Sequence, residues 1–125
     1  MKLRITSIAI LLAVSIFLLN SCSKGSSGNT TTPVTVPKGT YSASVAISNF
    51  AFSPNKVYVL TGGAVTWTNK DAVDHTATDL NGAFDSGHIN PSQTFKFTFT
   101  KAGTYTYHCL IHSSMANATV VVSDN

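Results

Sequence analysis

From Tyr41 onward, apolar and polar residues alternate with a period of two. Tyr41, Ala43, Val45 and Ile47 are interleaved with Ser42, Ser44 and Ala46. Val65, Trp67 and Asn69 flank Thr66 and Thr68, and Phe95, Phe97 and Phe99 flank Lys96 and Thr98. The run NATVVVS, Asn117 to Ser123, ends the pattern in the same manner. In an extended chain successive side chains point to opposite faces, so each run predicts a strand with one buried face. Turn formers separate the runs: Ser53 to Asn55, Gly62-Gly63, Asn90 to Ser92 and Lys101 to Gly103. No segment carries a helical stripe of useful length. Short strands at this spacing predict an all-β domain over 41–125, a Greek-key antiparallel β-sandwich of about seven or eight strands. Trp67 and the three Phe residues are its candidate core.

The N-terminal residues follow a different pattern. Lys2 and Arg4 precede the apolar run IAILLAVSIFLL, Ile8 to Leu19, which is short for a bilayer span but suits the central region of a secretory signal. The run ends in LNSC, Leu19 to Cys22, which resembles a bacterial lipobox. That resemblance implies a signal peptide over 1–21, with Cys22 becoming the lipidated first residue of an exported, membrane-anchored lipoprotein facing the periplasm or the cell surface. Residues 22–40 are rich in Ser, Gly, Thr and Pro and predict a flexible tether, about 25 Å across as a coil.

Charge narrows the choice of partners. The formal net charge is +3, but Lys2 and Arg4 fall in the signal. Beyond them Lys24, Lys38, Lys56, Lys70, Lys96 and Lys101 oppose Asp71, Asp74, Asp79, Asp85 and Asp124, with no further Arg. Nucleic-acid binding requires a clustered basic footprint, and none exists.

The chain has two Cys and two Met, and one of each lies in YHCLIHSSM, Tyr107 to Met115. If Cys22 carries lipid, Cys109 is a lone thiol in an oxidising compartment and requires a role. Continuing the alternation, Tyr105, Tyr107 and Cys109 share the core face, and His108 points away. The short loop Leu110 to Ser114 can fold His112 and Met115 back over the Cys109 sulfur. A fourth donor is available in His75, in the connection after the Trp67 strand. Taken singly, His75 reads as a loop histidine and Met115 as plain core; His88 and His108 read as structural or surface residues, and Asp71 and Asp74 as a solvated loop. Together, two imidazoles, a thiolate and a thioether suit copper, whereas calcium and magnesium require oxygen and zinc rarely takes a thioether.

With these residues in view, the segment from Tyr41 to Ser123 resembles a cupredoxin, the small blue copper fold of the plastocyanin, amicyanin and pseudoazurin type. NFAFSPNKVYVLTGGAVTWTN resembles the early hairpin of that family, DAVDHT its upstream His loop, and CLIHSSM its Cys-x-x-His-x-x-Met ligand loop. The resemblance implies one copper ion, with His75, Cys109 and His112 as equatorial ligands and Met115 as the axial one. The chain departs from the family pattern at Ser113, where Pro is common, at Asn117, where Gly is common, and at Thr76, where Asn is common.

The function implied is one-electron transfer between Cu(I) and Cu(II), by a monomer docking transiently with redox proteins around His112. Leu110, Ile111, Ala72, Val73 and Phe52 are the candidate apolar patch. The alternative is copper sequestration or delivery without a redox partner. Enzymatic activity is not expected, because four protein ligands leave no open position for substrate.

Overall fold

The structure is a computed structural model describing residues 38–125. The signal, Cys22 and most of the tether lie outside the described residues. Seven strands and no helix occur among the described residues: β1 (Thr40–Ser48), β2 (Ala51–Ser53), β3 (Lys56–Asn69), β4 (Thr78–Asp79), β5 (Thr94–Thr98), β6 (Gly103–His108) and β7 (Ala118–Ser123). Hydrogen bonding orders them β2-β1-β3-β7-β6-β4, with β5 joined to β3.

The sheet is mixed, not purely antiparallel as the alternation suggested. β1 and β7 both run parallel to β3, while β1–β2, β3–β5, β4–β6 and β6–β7 are antiparallel. A two-residue period fixes which face a side chain takes, not the direction of the neighbouring strand. Gly62-Gly63 also departs from expectation: it bends one long strand and does not separate two. Lys56 to Leu60 pair with β7, whereas Ala64 to Asn69 pair with β1 and β5. Gly62 has φ of +86°, which side-chain-bearing residues rarely adopt. A Cβ on Gly63 would lie 2.7 Å from the Leu60 carbonyl oxygen. The two glycines thus let a single strand change neighbours along its length.

The inward face of each run supplies the core. Val45, Ile47, Val59, Val65, Trp67, Phe99, Tyr107 and Val120 are all almost fully buried. Trp67 on β3 meets Phe84, Phe95 and Tyr107 with ring centroids 5.2, 5.6 and 5.4 Å apart. Tyr107 also meets Phe52 edge to face at 4.8 Å. Burial pushes the Tyr107 hydroxyl up to about 12, the Trp67 indole opposing the shift. This aromatic cluster ends one residue pair short of Cys109, so it forms the floor beneath the chemistry.

Candidate metal centre

Cys109 leaves β6 on the core face, as the alternation required, and is 1% exposed. His75 lies in the β3–β4 connection and is fully buried. Two backbone bonds hold it: its N–H donates to the Ile89 carbonyl at 3.2 Å, and its carbonyl accepts the Ile89 N–H at 2.8 Å. Asn69, at the end of β3, organises the same connection from inside. Its buried amide donates to the carbonyls of Val73 and Ile89, both at 2.7 Å, and its side-chain oxygen accepts the Asp71 N–H. His112 enters from the β6–β7 loop, where the Met115 N–H closes a turn onto its carbonyl at 3.0 Å. Met115 is itself buried, in the same cluster as Cys109.

His75, Cys109 and His112 form the one group of three such side chains converging among the described residues. The thiol sulfur lies 3.7 Å from Nδ1 of His75 and 3.7 Å from Nδ1 of His112, and the two nitrogens are 3.2 Å apart. The point equidistant from those three atoms lies about 2.1 Å from each, a metal–nitrogen bond length and slightly short for metal–sulfur. Imidazole nitrogens and a thiolate, with a buried thioether in the adjoining loop, are donors that suit copper. The Thr76 N–H donates to the Cys109 sulfur at 3.4 Å, and the Thr76 hydroxyl accepts the Leu110 N–H at 2.8 Å. A threonine thus ties the two ligand-bearing segments together where Asn is usual. Asn117 has no positive φ, so the missing Gly places no strain on the loop.

His88 and His108 stay outside the cluster, as expected. His88 pairs with Asp74 at the surface, 3.2 Å away, and His108 ends β6 opposite Thr78. Two expectations are corrected. Phe52 is 4% exposed and packs on Tyr107, so it belongs to the core and not to the patch. Phe50 takes its place at the surface: 48% exposed, it sets its ring edge-on to His75 at 5.4 Å and to His112 at 5.0 Å. Asp71 is no solvated loop residue. It accepts the Nε2–H of His75 at 2.9 Å and the N–H groups of Asn49 and Phe50 at 2.7 and 3.0 Å. The Phe50 N–H, foremost, and then the Asn49 N–H and His75 hold its carboxyl below the usual carboxylate range against the opposing effect of burial. Asn69 was legible as inward-facing, but its bonding role was not.

Residues 8–122 match the cupredoxin-like domain family, and the chain belongs to it. Amicyanin of Paracoccus denitrificans is 33% identical over 82 residues, 62% of this chain; the chain spans 63% of that protein's length. A copper(I) structure of an amicyanin variant superposes with a TM-score of 0.61 at 30% identity, covering 66% of this chain and 82% of the variant. A purple cupredoxin from Nitrosopumilus maritimus gives 0.59 at 30% identity, covering 65% of this chain and 99% of its own.

Proposed function

We propose that the protein is a one-electron carrier in which His75, Cys109, His112 and Met115 would together hold one copper ion. The observation carrying this reading is the triangle of two imidazole nitrogens and one buried sulfur, its edges 3.2 to 3.7 Å. Copper, when bound, supplies a one-electron couple between Cu(I) and Cu(II). The protein's part is to keep the donors still. His75 is bonded to Ile89 on both sides, and the Cys109 sulfur accepts the Thr76 N–H, so neither donor is free to rearrange when charge changes. Donation from Thr76 also draws electron density from the sulfur, one of the levers that set a reduction potential. A site with four protein donors has no vacancy for a substrate, which favours a carrier over an enzyme.

Electrons would enter and leave beside His112, the partly exposed member of the set. Phe50, Val73, Leu110 and Ile111 stand exposed along these same segments, at 48%, 41%, 57% and 42%. An apolar patch of this kind suits brief encounters with redox proteins, which release quickly. The Lys2-to-Cys22 sequence supports export as a lipid-anchored protein, tethered through Cys22 and facing the periplasm or the cell surface.

The test is the visible spectrum of the protein with Cu(II), wild type beside Cys109→Ser. An intense thiolate-to-copper band is expected in the wild type, bleached by ascorbate and missing from the variant. Binding with only weak visible absorption would overturn the carrier reading in favour of copper handling.

A further inference from the structure

A two-residue loop, Asn49-Phe50, joins β1 to β2, with Ser48 opposite Ala51. Both loop residues have positive φ, 53° and 57°, as a type I′ hairpin turn requires. Asn tolerates this conformation. Phe does not, and a bulky side chain holds this backbone only where its surroundings enforce it. Here the enforcing group is visible. Oδ1 of Asp71 accepts the Asn49 N–H and Oδ2 accepts the Phe50 N–H, so the carboxylate closes on both ends of the strained pair. The same Oδ2 accepts the Nε2–H of His75. Since an ionised carboxylate only accepts, the imidazole proton is assigned to Nε2, which leaves the Nδ1 lone pair directed at Cys109 and His112.

We propose that Asp71 is the positioning residue of this centre: one carboxylate fixes the tautomer of His75 and, through the Asn49-Phe50 turn, seats the Phe50 ring as a cover over both histidines. The proposal rests on the metal-site reading above. Its first consequence needs no metal. A buried imidazole anchored through Nε2 keeps its Nδ1 turned toward Cys109 and His112, so the ring needs no reorientation to meet an ion. Its second consequence is electronic. A carboxylate on the far side of a ligand imidazole strengthens it as a donor, and a stronger donor favours the more oxidised ion. The third is geometric. The ring of Phe50 reaches both histidines only while the turn keeps its left-handed backbone, so losing the carboxylate opens the cover.

The test compares wild type with Asp71→Asn and Phe50→Gly. Long-range proton–nitrogen NMR of the metal-free protein reads the His75 tautomer. The wild type should show a proton on Nε2 that exchanges slowly with solvent. In D71N, whose amide cannot accept at every oxygen position the carboxylate uses, Nε2–H should lose its fixed assignment. Affinity for Cu(II) and for Zn(II) should fall about 10- to 100-fold, and the reduction potential of the copper form should rise. Phe50→Gly suits the positive φ and keeps both N–H donors, so it should fold, retain the Nε2 proton and exchange it faster. An unchanged tautomer and potential in D71N would overturn the proposal, as would unchanged proton exchange in the glycine variant. The NMR arm separates this proposal from the copper reading. A wild type without a thiolate-to-copper band, but with a D71N tautomer shift and weakened Zn(II), would leave Asp71 standing and remove copper.

Discussion

Removing the Tyr107 hydroxyl should make the protein less sensitive to alkali while costing it nothing at neutral pH. The hydroxyl is fully buried and, among the described residues, has no partner in hydrogen-bonding geometry, although the Trp67 indole lies close by. Its pKa stands at about 12 in the folded protein, against 10.0 in its absence. The folded value is raised, so Tyr107 leaves stability whole below about pH 10 and subtracts from it as pH climbs toward about 12, where only the unfolded chain gives up the proton. Two pKa units correspond to a loss on the order of 2–3 kcal/mol across that window. Tyr107→Phe abolishes this term. Because it also removes a buried polar atom that lacks a partner, its stability near pH 8 should equal the wild type or slightly exceed it. Urea unfolding of the metal-free protein, followed by the fluorescence of Trp67, measures both. Trp67 is the chain's single tryptophan and touches the residue in question. The two curves of stability against pH should run together to about pH 10 and then diverge. Parallel decline of both proteins through the window would refute the assignment of the shift to this burial.

Asn69→Ala should cost about 2–4 kcal/mol in the same urea assay, since two carbonyls and one N–H lose their partner inside the loop that carries His75. Metal affinity should fall with it. Gly63→Ala should destabilise by about 1–3 kcal/mol, because the new Cβ meets the Leu60 and Thr40 carbonyl oxygens at 2.7 and 3.1 Å, and thermal melting reads the loss. Ile111→Glu should leave stability within about 0.5 kcal/mol, as an exposed substitution does, and leave the copper spectrum unchanged. Its electron self-exchange, measured by NMR line broadening, should slow about tenfold or more because two like-charged patches must meet.

The parts of this molecule that could be read from the sequence are those that obey a short period. Tyr105 and Tyr107 alternate along β6 and Cys109 follows it in step; Tyr107 and Cys109 are buried and Tyr105 packs half-buried against the same core. The convergence of His75 on Cys109 could be read only from the chemistry of the donor set and from the resemblance, because 34 residues separate them and no local rule joins them. Asp71 was missed for a related reason. Its partners Asn49 and Phe50 lie 22 and 21 residues away, and a phenylalanine at positive φ contradicts the residue preferences that mark a hairpin turn. The exchange of Phe52 for Phe50 at the surface follows from that turn, since a two-residue loop decides which of the flanking aromatics faces in. The parallel pairing of β1 and β7 with β3 was invisible because alternation carries no information about strand direction.

The spacing of the donors along the chain also governs when the centre can exist. His75 precedes Cys109 by 34 residues and His112 by 37, whereas Cys109 and His112 are three apart. A chain emerging from its N-terminus presents one histidine long before the other donors. It cannot bring them together until β6 has passed beneath Thr76 and the loop before β7 has turned back. Bringing together segments this distant is paid for by the finished sheet. The complete donor set therefore exists only once the sheet has closed, so full affinity for the metal should appear together with folding.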